Sequence, residues 1–144
     1  MVEMMWVYVR LAIILASAIG SCFVPLAPQA APPIGWTALT AIFAVCSVGM
    51  VLVLGIQRVN PRSARVWHRP LWDSNPFNFK DPLQFFQLGA FVFLADAVVT
   101  LIRWMFSSVP FYLELLVPPA MGLGILLGSR LTRLVFRSKF TDEN

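Results

Sequence analysis

The chain has 144 residues, 58% of them hydrophobic and only 12% charged, with a formal net charge of +4. Soluble domains carry about a quarter charged residues, so this composition excludes an ordinary water-soluble globule and makes lipid the solvent for most of the chain. The net positive charge is not that of a nucleic-acid binder, because almost all of it is confined to two stretches between and after the apolar segments.

Four windows reach the roughly 20 apolar residues that cross a bilayer: residues 6–23, 36–56, 85–106 and 111–128. A helix closes its backbone hydrogen bonds within each window, and none alternates as a barrel strand does. The predicted fold is therefore an all-α membrane protein, a single domain over residues 1–144 with four transmembrane helices in an antiparallel bundle.

In the first window Ala12, Ala16 and Gly20 repeat every fourth residue, a small-residue face that lets helix backbones approach in lipid. Such a face is expected to pack within the chain, the alternative being a contact between subunits. Arg10, about two turns in, is expected to snorkel to the inner headgroups. A second reading of the same segment is a lipoprotein signal, with the apolar run 11–19 leading to Ile-Gly-Ser-Cys22 and loss of residues 1–21. The usual signal charge is weak here, since Glu3 offsets Arg10. Cys22 and Cys46 are too few for a disulfide framework or metal centre and read as small packing residues.

The connection 25–35 is proline-rich and uncharged, an extended spacer. After the second window comes the polar loop 57–84, carrying Arg58, Arg62, Arg65, Arg69 and Lys80. Arg130, Arg133, Arg137 and Lys139 follow the fourth window in the tail 130–144, whose last residues 140–144 should fray. By the positive-inside rule both termini and the long loop are cytoplasmic, the pattern of a multi-pass bacterial inner-membrane protein. Aromatic belts agree: Trp6, Tyr8, Trp67 and Trp72 mark the inner interface, and Trp36, Trp104 and Tyr112 the outer one. The basic clusters then face anionic lipid headgroups and not nucleic acid.

Within the loop, Pro70, Pro76 and Pro82 each precede Leu or Phe. Asp81-Pro82-Leu83-Gln84 has the order of a helix start, with a capping Asp, a proline where its missing N–H costs nothing, and a Gln that completes a capping box. The preceding residues 69–81 are predicted as short turns whose aromatics, Trp72, Phe77 and Phe79 with Trp67, lie along the inner membrane face as a candidate contact surface. His68 has no metal-ligating companions.

The third window holds the polar candidates. Asp96, Thr100 and Arg103 share one helical face, though Asp96 and Arg103 stand about 10 Å apart along the axis, too far for direct contact. A carboxylate there reads either as an ion- or proton-coupling group or as a hydrogen-bonding partner for a neighbouring helix. Arg103 and Glu114 are expected to form an ion pair across the short turn 107–110. In the fourth window Ala120, Gly124 and Gly128 form a second small-residue face. Pro118-Pro119 either kinks this helix or, alternatively, opens it, leaving 111–117 at the outer interface.

No nucleophile with an adjacent base and no phosphate-cradling loop is present, so an enzyme is not expected and no cofactor is implied. The expected role is an accessory, assembly or inhibitory subunit that binds other membrane-protein subunits. The alternative is a homo-oligomeric channel or proton-coupled carrier built on the Asp96, Thr100 and Arg103 face.

Overall fold

The structure is a computed structural model that describes residues 2–26, 34–56, 75–77 and 82–135. Its elements are α1 (Val2–Phe23), α2 (Trp36–Ile56), α3 (Pro82–Met105), a 3₁₀ turn (Leu113–Leu116) and α4 (Val117–Val135). All four helices are long and apolar enough to cross a membrane. The bounds of the first three follow the apolar windows to within a few residues, and α3 begins at Pro82 as the capping signal predicts. Asp81 lies outside the described residues, and Gln84 turns its side chain to another helix instead of back to the cap (below).

The second proline signal resolves in favour of a helix start. Residues 113–116 wind as a 3₁₀ turn and α4 begins at Val117, so Pro118 and Pro119 occupy its first turn. The first N–H groups of a helix have no internal acceptor, and proline there removes nothing that was bonded. At its other end α4 runs past the apolar window to Val135, so the expected tail from residue 130 begins as helix, with Arg130 exposed on it. Residues 140–144 lie outside the described residues.

Two of the three main helix pairs join helices that are not consecutive in sequence. The main contacts join α1 to α3, α3 to α4 and α4 to α2, giving the order α1, α3, α4, α2. The pairs α1/α3 and α2/α4 run parallel. Contacts rise together along both partners: Arg10 meets Gln84 while Ser17 meets Asp96, and Gly124 lies against Cys46 while Gly128 lies against Met50.

The α2/α4 pair is close because Gly124 and Gly128 have no side chains. A Cβ at Gly124 would sit 2.8 Å from Cys46 Cβ and 2.9 Å from the Phe43 carbonyl oxygen. At Gly128 it would sit 2.7 Å from Met50 Cβ and press on the Ser47 carbonyl. Gly122, on another face, is held as tightly against Leu94 and the Ala90 carbonyl of α3. Buried hydroxyls line the seam without orphaned protons: Ser47 donates to the Phe43 carbonyl, Ser129 to that of Ile125 and Thr132 to that of Gly128. Below the seam a small apolar cluster of Met50, Leu54 and Leu83, flanked by Phe86 and Ile125, joins α2, α3 and α4.

The small-residue face of α1 behaves differently, which corrects the expectation that it packs inside the chain. Ala12, Ala16 and Gly20 are exposed, and a Cβ at Gly20 would meet nothing within 4 Å. The reason is helical geometry. At about 100° per residue Ala12 stands roughly 200° around the helix from Arg10, and it is the Arg10 side that turns to α3.

Of the aromatic loop between α2 and α3 the structure describes residues 75–77. Asn75 Oδ1 accepts a 2.9 Å hydrogen bond from the Phe77 amide, a local turn in which Pro76 is buried and Phe77 is left exposed. Trp67, His68, Trp72 and Phe79 lie outside the described residues.

Candidate functional site

The polar side chains gather along the α1/α3 seam. On α1, Arg10, Ser17 and Ser21 follow one another at intervals of seven and four residues, which places them on one helical face. Each meets a partner from α3, and the three contacts form a ladder from one end of the pair to the other.

The first rung is Arg10. It is only 3% exposed, and its Nη2 donates to Gln84 Oε1 at 3.0 Å, with Gln84 buried to the same degree. The expectation that Arg10 snorkels outward is thereby corrected: a guanidinium with a fixed carbonyl acceptor inside the helix pair is held there. That contact also employs the oxygen that a capping box would have used.

The middle rung is Asp96. Ser17 Oγ donates to its carboxylate, lying 2.9 Å from Oδ1 and 3.0 Å from Oδ2. Ser21 Oγ lies 2.8 Å from Oδ1 and 3.1 Å from the Ser17 carbonyl, so one hydroxyl proton faces two acceptors. Of the two readings open to Asp96, the geometry is that of a carboxylate bonded to a neighbouring helix. Both serines belong to the segment that lipoprotein processing would remove.

The last rung is Arg103. Its Nη1 donates to the carbonyl oxygens of Ser21 and, at 2.9 Å, Val24. These are carbonyls at the end of α1, where helix acceptors lack internal donors and the helix dipole is negative. Thr100, between Asp96 and Arg103 on the same face, makes no side-chain hydrogen bond among the described residues.

Glu114 goes elsewhere. Its Oε1 accepts from the Ile34 amide at 2.9 Å, just ahead of α2. The expected Arg103–Glu114 ion pair is therefore not formed. Each charge instead serves the end of another helix, the cation at a C-terminus and the anion ahead of an N-terminus, where the macrodipole favours it. The α3–α4 turn is closed by an aromatic device: Trp104 Nε1 donates to the Val109 carbonyl at 3.0 Å, and its ring meets Phe111 edge-on at 5.3 Å. The absence of direct contact has a measurable signature. Arg103→Ala and Glu114→Ala should destabilise additively, with a coupling below about 0.5 kcal/mol in a double-mutant cycle, and a larger coupling would restore the ion pair.

The predicted polar set thus divides. Asp96 and Arg103 meet α1, Glu114 meets the start of α2, and Thr100 joins neither. Sequence reasoning passed over Ser17, Ser21 and Gln84 as partners, although the one-face spacing of Arg10, Ser17 and Ser21 in an apolar helix was a usable signal. Groups of three or more His, Cys, Asp or Glu able to hold a metal are absent among the described residues. Cys22 is exposed and Cys46 lies in the α2/α4 seam, both as free thiols. Comparison with protein-family models, with curated proteins and with solved structures finds no match to this chain.

Proposed function

We propose that the chain is a small multi-pass protein of the bacterial inner membrane, with both termini cytoplasmic, that acts through protein contacts as an accessory, assembly or inhibitory subunit of a membrane complex. The observation that carries this reading is the employment of the intramembrane polar groups. Arg10, Asp96 and Arg103 join α1 to α3, and Glu114 holds the approach to α2, so these groups act as internal fasteners. What the protein presents outward is packing surface: the Ala12, Ala16 and Gly20 face of α1 and the exposed Phe77 of the inner loop.

The bonding of Ser17 and Ser21 to Asp96 also supports retention of α1 in the working protein, since processing before Cys22 would strip the carboxylate of both donors. In this reading the basic loop and tail face anionic headgroups, and catalysis is no part of the role. Gentle solubilisation followed by mass spectrometry of the purified complex is expected to show a stoichiometric membrane partner. A clean monomer under those conditions would count against the proposal. Asp96 keeps intermediate exposure, which favours the channel or carrier as the second reading, and reconstituted oligomer without ion or proton flux would remove it.

A further inference from the structure

Asp96 places a carboxylate in a candidate membrane span with no basic side chain in contact among the described residues. The cations of the ladder are engaged elsewhere: Arg103 donates from Nη1 to the α1 carbonyls, and Arg10 donates to Gln84, twelve residues and about 18 Å along the helix from Asp96. The serine hydroxyls hydrogen-bond the carboxylate but bring no positive charge, and an uncompensated charge in lipid is costly.

Around it stand hard oxygen atoms. Asp96 Oδ1 and Oδ2, Ser17 Oγ, Ser21 Oγ and the Ser17 carbonyl oxygen form a connected set whose links are 2.8–3.1 Å long. Each hydroxyl has one proton to give but two lone pairs to offer, so the pair of serines can coordinate a cation while still donating. Carboxylate, hydroxyl and carbonyl oxygens suit hard ions and not soft ones. A single negative charge matches a single positive one. Oxygens about 3 Å apart, as these are, suit an ion with short ion–oxygen distances.

We propose that Asp96, Ser17 and Ser21 form a binding site for a small monovalent cation, a sodium or lithium ion, that neutralises the carboxylate and ties α1 to α3. The site is independent of the subunit reading, because cation binding and partner binding are measured separately. Every proposed ligand atom on α1 comes from Ser17 or Ser21, so the cation would stabilise the joined helices over the separated ones.

The test uses the purified full-length chain in detergent, with thermal unfolding followed at constant ionic strength in sodium, lithium, potassium or choline chloride. Sodium and lithium are expected to raise the unfolding midpoint saturably above that in choline, and potassium to do so little. Asp96→Asn should abolish the difference between salts. Ser21→Ala, which keeps the carboxylate and is the variant to use where Asp96→Asn does not fold, should shift the sodium dependence to roughly tenfold or more higher concentration. Equilibrium binding of radioactive sodium to the unmodified protein gives the same answer without a variant. Equal midpoints in all four salts, or a sodium-specific rise that survives Asp96→Asn, would overturn the proposal.

Discussion

Gly128→Leu is expected to be among the most destabilising single changes in this chain. The added side chain would begin against Met50 Cβ, 2.7 Å away, and against the Ser47 backbone. Side chains can rotate aside, but backbone of a packed helix cannot, so α2 and α4 must separate and give up the contacts of the buried seam. Overpacking of a well-filled core costs about 1–3 kcal/mol, and the backbone neighbours here place this substitution at or above the upper end. Unfolding by titration with sodium dodecyl sulfate in mixed micelles, read by helical circular dichroism, measures it. Gly20→Leu is the matched control, because it enlarges an equally small residue that faces open space. Equal stability of the two variants would show that the glycine seam does not hold the bundle. Gly20→Leu has a second use: an unaltered fold with loss of a co-purifying partner would place that partner on the outer face of α1.

Gln84→Leu is expected to cost about 1.5–3 kcal/mol, the range for a hydrogen bond to a charged group. The substitution keeps much of the side-chain volume and removes the carbonyl that accepts from Arg10. Because Arg10 is only 3% exposed, water cannot readily replace the lost acceptor. Gln84→Glu should be tolerated, since a carboxylate at the same place accepts the same hydrogen bond and adds opposite charge. The two variants together separate a polar requirement from a steric one. If Gln84→Leu unfolds at the same detergent fraction as the unaltered chain, the buried rung contributes nothing and the account of the α1/α3 pair fails at that point.

The elements were more legible than the partnerships. Trp36–Ile56 matches its apolar window at both ends, because helix in lipid is enforced by backbone hydrogen bonding and needs no knowledge of neighbours. Pro82 marked a helix start for an equally local reason. Pro118 left two outcomes open, and the 3₁₀ turn over Leu113–Leu116 decided between them. The Arg103–Glu114 pairing failed because sequence proximity was weighed without the carbonyls of α1, which come from a segment 79 to 82 residues away. Ala12, Ala16 and Gly20 were read as a seam on the same evidence as Gly124 and Gly128. Small residues permit close approach, but which face of α1 is used was decided by Arg10, Ser17 and Ser21 on the other side.

Parallel pairing also sets an order of events during synthesis. A ribosome delivers α1 and α2 first, yet neither is the other's main partner. The polar face of α1 waits for α3, and the face of α2 that receives Gly124 and Gly128 waits for α4, the last helix made. The two halves of the chain are thus interleaved, and a nascent protein halted after its first hairpin would hold two helices whose matching surfaces have not yet been translated.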